Sequence, residues 1–378
     1  MKEIYLALAI HNHQPVGNFH FVFAQAYRKA YLPMLKALEQ HPSVRISLHY
    51  SGPLVDWVKK NHEDFFPRIA ALVKRGQAEV MSGGYYEPIL PMIPDPDKLG
   101  QIHKMNVWVK DEFEQKPTGM WLAERVWEPG LAKPITEAEL QYTLVDDTHF
   151  KMVGLEDRDL FGYYLTEEQG YPLKIFPINK RLRYSIPWRP VPEVIQYLND
   201  EAAEGEPRIT VLGDDGEKFG IWPQTYKHCW KDGWIESFFQ ALEANRDWLH
   251  TITLGDYAKR FPPAGRVYLP CATYDEMLEW ALPAGRSAEI VDIKHRLEAE
   301  GRNDILRHIR SGFWRYFLVK YPEINRMHKR MMQAHRQVYQ AEWLGAHDIG
   351  LDDLWKAQSN CPYWHGVFGG IYLAISGQ

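Results

Sequence analysis

Two acidic segments stand out for their chemistry. Glu124 lies in Trp121-Leu-Ala-Glu-Arg-Val-Trp-Glu-Pro129, and Asp214 and Asp215 lie in Val211-Leu-Gly-Asp-Asp-Gly-Glu-Lys-Phe-Gly220. Each places a carboxylate just after a short apolar run, among aromatic rings. Cleaving a bond between sugars takes two carboxylates, one as nucleophile and one as proton donor. A nucleophilic Glu124 must be ionised, which Arg125 favours if its guanidinium points inward. Trp121 and Trp127 supply apolar walls. A structural Glu–Arg ion pair accounts for the same spacing equally well. Adjacent residues at a strand end point to opposite faces, so only one of Asp214 and Asp215 faces a cleft. A proton donor needs a raised pKa, from burial or from a neighbouring carboxylate such as Glu124. Asp-Asp-Gly is also a good turn. Glu217 and Trp222 follow at once and tilt the reading toward function.

His11 and His13, in His11-Asn-His-Gln-Pro15, fall on one face of an extended segment. They suit hydrogen bonding to sugar hydroxyls. Zinc ligation, with His49 as third ligand, ranks below that. Glu79 and Glu87 flank Val80-Met-Ser-Gly-Gly-Tyr-Tyr86. Glu79 sits inside a strand, where an unpaired acid is costly, so an inward orientation requires a partner such as His13 or Arg125. In Tyr268-Leu-Pro-Cys-Ala-Thr-Tyr-Asp-Glu-Met-Leu-Glu-Trp280, Tyr274 or Trp280 can shape a sugar subsite, although helix capping explains the acids as well.

The elements that position these residues alternate. Apolar runs predict strands over 3–10, 44–50, 77–82, 118–123, 141–146, 174–178, 208–213 and 251–254, with a short one near 266–269. Helical patterns span Ala24 to Gln40, Glu63 to Arg75, Asp97 to Glu114 and Trp234 to Asn245. Such alternation implies a mostly parallel sheet with helices outside. The polar motifs each follow a different strand, which points to a barrel with its site at the carboxyl ends. A doubly wound open sheet is the competing arrangement. From about residue 284 the pattern turns to long polar helices, Ser287 to Arg310 and Glu323 to Leu344. The expected division is a barrel over 1–283 and a helical bundle over 284–378, whose closing run Tyr363-Trp-His-Gly-Val-Phe-Gly-Gly370 returns to the cleft.

Bulk properties limit the partners. The 378 residues carry a net charge of -5 without a basic block, which disfavours nucleic acid. Aromatic residues make up 13%, with 14 Trp and 21 Tyr, which suits a carbohydrate cleft as well as a large core. Cys229, Cys271 and Cys361 are odd in number and far apart, as in a reducing, cytoplasmic compartment. The apolar start reads as a first strand, not a signal peptide. No stretch is long enough for a membrane span. A homo-oligomer stays open.

Five ordered segments resemble the conserved regions of glycoside hydrolase family 57. They begin at His11, Ser82, Trp121, Gly213 and Tyr268. The wording is most similar to the 4-alpha-glucanotransferase and alpha-amylase group, as is the closing Tyr363–Gly370 run. The resemblance implies a (β/α)7 barrel, a distorted TIM-like form, followed by a helical bundle. It implies a retaining enzyme acting on alpha-glucan oligosaccharides, with no metal or organic cofactor in catalysis. Glu124 then falls on the nucleophile and Asp215 on the acid/base. His11, His13, Glu79, Trp121, Glu217, Trp222 and Trp364 fall on substrate-binding positions, and Arg125, Asp214 and Tyr274 lie beside them. Two departures stand out. Related glucanotransferases continue into a β-rich C-terminal domain, whereas this sequence ends at Gln378. Some relatives carry Asp-Ala where this chain has Cys361-Pro362, which bears on acceptor preference. Transfer is expected over amylase-type hydrolysis. A metal-dependent hydrolase using His11 and His13, and a non-catalytic glucan-binding protein, are the readings from other classes.

Overall fold

The computed structural model describes residues 2–345 and 350–368. Ten strands form in chain order: β1 (Ile4–Asn12), β2 (Ile46–Tyr50), β3 (Ala78–Val80), β4 (Gly119–Met120), β5 (Tyr142–Asp146), β6 (Tyr164–Glu168), β7 (Tyr171–Ile178), β8 (Ile209–Asp215), β9 (Leu249–Thr251) and β10 (Gly265–Arg266). Seven of them run parallel round a ring. β8 pairs with β1, β1 with β2 and β2 with β3. A parallel bridge between Ser82 and Met120 carries the order to β4. β4 pairs with β5 and β5 with β7. The amide of Asn179, just past β7, donates to the carbonyl of Val211 in β8 at 2.9 Å and closes the ring.

The first strand shows why this sequence makes a barrel. It is buried along its whole length. Tyr5, Ala7 and Ala9 join the interior cluster with Trp121, Tyr142, Phe176 and Val211. Ile4, Leu6, Leu8 and Ile10 pack outward with Leu35, Leu38, Val55 and Phe238 from the helices. Alternate side chains thus serve two cores, so the strand is apolar throughout. The small Ala7 and Ala9 leave room inside for the Tyr and Trp rings of other strands.

The expected helices are present as His20–Gln40, Phe65–Lys74, Asp95–Phe113 and Trp234–Ala244, the first containing a π turn at Tyr27–Tyr31. One strand pair differs from expectation. Only 174–178 was legible, whereas β6 and β7 form an antiparallel hairpin. Its turn residues Gln169 and Gly170 have φ of 54° and 83°, as a hairpin turn with two left-handed residues requires. The pair Gln-Gly lacks the usual Asn or Asp, and the charged tip of β6 hides its strand pattern.

After residue 283 the described residues form helices Ala284–Ala299, Asn303–Leu306, Phe317–Lys320, Pro322–Trp343 and Leu351–Lys356, with short 3-10 turns. The single helix expected over 287–310 is interrupted at Gly301, whose φ is +67°. A buried carboxylate ties this region to the barrel's outer layer. Asp97, wholly buried, accepts from His335 Nδ1 (2.8 Å), Tyr339 OH (2.8 Å), Trp355 Nε1 (3.2 Å) and Gln358 Nε2 (2.6 Å). No helix among the described residues is long and apolar enough to cross a membrane.

Candidate active site

Register across β2, β1 and β8 sets the floor of the site. His11 is the Cα partner of His49 on one side and of Asp215 on the other. The three side chains therefore share one layer at the carboxyl ends of the strands. The rings of His11 and His49 lie 4.9 Å apart with Nδ1 to Nδ1 at 2.8 Å. His13 stacks on His11 at 5.6 Å from the loop above. Gly83 makes this packing feasible, since a Cβ there would stand 2.5 Å from Nε2 of His49. Gly216 likewise lies against the side-chain oxygen of Asn12, so close approach accounts for this glycine. Burial drives the imidazole pKa of His13 and of His49 down to about 3, and that of His11 well below its usual value. All three rings are neutral at pH 7.

Glu124 sits in the turn after β4. Its Oε2 accepts from Tyr274 OH at 2.9 Å. Burial raises its pKa, and Asp215 raises it further; Arg125, the Tyr274 bond and Arg183 pull it down. Arg125 thus opposes the effect of burial without overcoming it. Its guanidinium lies 4.3 Å over the Tyr274 ring and 5.7 Å from that of Trp121. The pKa of Asp215 is also raised, by burial first and then by Asp214 against the pull of Arg125, Arg183 and Lys218. Glu124 and Asp215 lie close enough to interact, since the charge of Asp215 raises the Glu124 pKa.

Three non-glycine residues here hold left-handed backbone: Glu87 (φ 55°), Glu124 (φ 50°) and Arg125 (φ 50°). Such conformations cost on the order of 1–3 kcal/mol each and persist only where the surroundings fix them. Each has its carbonyl held by a distant segment. Asn360 donates to Glu87 O from its backbone (2.9 Å) and its side chain (2.7 Å). Thr273 Oγ1 donates to Glu124 O at 2.5 Å. His149 places Nε2 3.0 Å from Arg125 O and Nδ1 2.9 Å from Asp146 O.

Glu217 accepts the His13 amide at 2.9 Å and the Tyr31 hydroxyl on the same oxygen. Burial, then the charge of Asp215, pushes its pKa up to about 8. Its carboxyl is therefore protonated at neutral pH and can donate. Trp222 stands 40% exposed, with Nζ of Lys218 5.8 Å from its ring. The closing segment comes back over the histidines, with Cys361 Sγ 3.5 Å from His13 Nε2. Trp364 is buried and stacked 6.2 Å from Trp280, its indole N–H donating to Asn360 Oδ1. Gly369 and Gly370 of that run lie outside the described residues.

Several expectations need correction. Glu79 reaches neither His13 nor Arg125. It lies one layer deeper than the histidines, paired in register with Ser47. It accepts from Ser47 Oγ (2.6 Å), Tyr142 OH (2.8 Å) and the Gly255 amide (3.1 Å). These three donors satisfy it inside the barrel. Asp214 pairs with Ile10 on the opposite face to Asp215 and binds Lys218 Nζ at 2.5 Å. Its charge is spent on that ion pair. Trp121 is only 2% exposed, with His11 stacked 4.7 Å from it at 6°. It backs His11 and presents no open wall. Tyr274 positions Glu124 and leaves little ring surface for a sugar. The third group beside His11 and His13 is Glu87, not His49, since His49 stands behind His11.

Sequence reasoning missed Tyr31, Asp146, His149 and Arg183. Arg183 Nη1 binds Asp146 Oδ2 at 3.1 Å, which fixes a second cation beside Glu124 and Asp215. None of these has a local signature, because the fold alone brings them near. Glu87 was noticed but given no place; its position before a proline in a Gly-Gly-Tyr-Tyr turn was the available signal.

Residues 7–270 match the family model described as glycosyl hydrolase family 57. Residues 312–376 match one described as the middle domain of alpha-amylase/4-alpha-glucanotransferase. The chain is 46% identical to "Alpha-amylase 1" of Dictyoglomus thermophilum, over 98% of this chain and 54% of that protein. It is 42% identical to a 4-alpha-glucanotransferase of Thermococcus litoralis, over 99% of this chain and 56% of the relative. The crystal structure of the 4-alpha-glucanotransferase from Thermococcus litoralis superposes with a TM-score of 0.93 at 42% identity, over 99% of this chain and 57% of that one. The chain thus spans about half the length of the curated relatives it matches.

Proposed function

The chain belongs to glycosyl hydrolase family 57, and on that premise we propose that it is a retaining 4-alpha-glucanotransferase acting on alpha-1,4-linked glucan oligosaccharides. The observation that carries the reading is the pairing of two buried carboxyls of unlike surroundings. Glu124 is held by the Tyr274 hydroxyl and drawn toward ionisation by Arg125 and Arg183. Asp215 is likewise raised by burial and lowered by Arg125 and Arg183, and Asp214 raises it further. The difference lies in the near neighbours: the Tyr274 hydroxyl favours an ionised Glu124 and Asp214 a protonated Asp215, which together with the family resemblance of the two segments assigns nucleophile and proton donor. Glu124 attacks the anomeric carbon while Asp215 gives its proton to the leaving oxygen, which yields a glucosyl ester on Glu124. Asp215 then takes the proton of the acceptor hydroxyl as that oxygen displaces Glu124. His11, His13 and protonated Glu217 offer hydrogen bonds to sugar hydroxyls, with Trp222 at the rim.

Residues 1–283 form the catalytic unit in this reading. Residues 284–378 are the second unit in this reading; its described residues are largely helical and send Cys361 and Trp364 over the pocket, supported by the Asp97 and Asn360 bonds. A reducing, cytoplasmic setting is supported by three unpaired cysteines.

Incubation with maltopentaose, beside Glu124→Gln, tests the proposal. A ladder of longer and shorter maltooligosaccharides that the variant fails to make is expected. Short products with a matching rise in reducing ends mean hydrolysis, and no change in the wild-type chain refutes the substrate class.

A further inference from the structure

The histidine cluster has a second chemistry that the transfer reaction does not use. His11, His13 and Glu87 each offer a ligand atom, and these atoms all lie within 4.8 Å of one another. His11 Nε2 is 3.9 Å from Glu87 Oε2. Tetrahedral zinc, with bonds of roughly 2.0–2.1 Å to nitrogen and oxygen, sets ligands roughly 3.4 Å apart. Side-chain movements of roughly 1 Å close the set. Cys361 lies outside this set of three but against one member of it. A zinc-bound nitrogen and thiolate sulfur stand roughly 3.6 Å apart, and its Sγ lies 3.5 Å from His13 Nε2.

Two features favour a cation at this spot. The outer support of a metal site is already built, because Nδ1 of His11 is occupied by His49 and fixes the ring. Buried polar atoms lack partners as well. Glu87 is 2% exposed and, among the described residues, the groups within ion-pair reach of it are two imidazoles, His11 and His49 at 3.9 and 3.6 Å. The buried Nδ1 of His13 and Nε2 of His49 have no hydrogen-bond partner. Unpartnered buried nitrogens beside a buried carboxyl leave polar atoms that a cation in the pocket would satisfy.

We propose that His11, His13 and Glu87, with the Cys361 thiolate as fourth ligand, bind a divalent cation of the zinc class, and that this cation and the sugar compete for the pocket. The thiol releases its proton to solvent as the bond to the cation forms. The cation is an inhibitor here, because it takes the groups that otherwise face sugar hydroxyls. This last clause rests on the glucan reading, whereas binding itself does not.

Equilibrium dialysis of the full chain against zinc, with metal counted per chain, tests binding without turnover. One zinc per chain at roughly micromolar free metal is expected. Glu87→Gln should weaken it by about a hundredfold or more, and Cys361→Ser by about tenfold. Cobalt in place of zinc should give tetrahedral visible bands, with a thiolate charge-transfer band that Cys361→Ser lacks. That spectrum decides the matter even if Glu87→Gln fails to fold. Maltotriose should displace the metal. Zinc uptake that is absent, or equal in wild type and Glu87→Gln, overturns the site. Uptake indifferent to maltotriose overturns the competition while leaving the site intact. A chain that binds zinc but does not act on glucans refutes the proposed function alone.

Discussion

The Tyr274 hydroxyl donates a 2.9 Å hydrogen bond to Oε2 of Glu124 across 150 residues of sequence. The same ring lies under the Arg125 guanidinium. One side chain therefore sets both the direction of the carboxylate and the seat of its counter-charge.

Tyr274→Phe should lower kcat by about 10–100-fold with a smaller change in KM, since a bond to the nucleophile is removed while the pocket keeps its shape. The tyrosine bond holds the Glu124 pKa down. Its loss raises that pKa, so the acid limb of the pH–rate profile should move to higher pH. A limb that moves down, or stays in place, contradicts the assignment of Glu124 as the ionised nucleophile.

Asp215→Asn should fall by about 10³-fold or more on maltooligosaccharides, which need a proton on the leaving oxygen. On alpha-glucosyl fluoride, whose leaving group needs little protonation, the formation of the glucosyl–enzyme should be far less impaired. Proton NMR of the first-formed sugar should show the alpha anomer. A beta product would mean inversion.

Glu217 gives a stability test with a definite sign. Its folded pKa of about 8 lies above the usual carboxyl value. The folded state therefore binds more protons than the unfolded state between about pH 4.5 and 8. The stabilisation is present in full below the unfolded pKa and fades as pH rises through the folded one. Over that window wild type should lose stability relative to Glu217→Gln, by up to roughly 1.4 kcal/mol per pH unit. Urea unfolding of both proteins at a series of pH values measures it, and parallel curves would refute a protonated Glu217.

Asp214→Ala should destabilise the fold by about 3–5 kcal/mol, because it strands the buried Lys218 ammonium. Asp214 and Lys218 are 1% and 3% exposed. Asp214→Asn with Lys218→Met should recover much of the loss. Denaturant midpoints provide the comparison, and a mild single-variant effect would show that the pair is not structural.

What the sequence disclosed follows from where the determinants lie. The run Ile4–Ile10 revealed a strand buried on both faces, because every position meets apolar neighbours. Glu124 and Asp215 were legible because their aromatic surroundings are local and their motifs resemble a known family. The opposite facing of Asp214 and Asp215 followed from strand geometry alone. Which role each took did not, since the Lys218 partner is a matter of three-dimensional packing. Glu79 misled for a related reason. An acid in a strand needs partners, but those partners came from β2, β5 and the start of the Leu254–Arg260 helix. Tyr31 lay in a segment that read as an ordinary helix, and Arg183 lay outside every predicted element. Their importance comes from contacts spanning 186 residues to Glu217 and 37 to Asp146.

The bond from Asn360 to the carbonyl of Glu87 spans 273 residues. During translation at about 5–20 residues per second, Asn360 is added roughly 15–55 s after Glu87. Throughout that interval the left-handed turn at Glu87 lacks its clamp, and the growing barrel lacks the Cys361 segment over its histidines. The ribosome-bound chain is thus expected to hold an open, unset pocket, so competence for chemistry arrives late and at once.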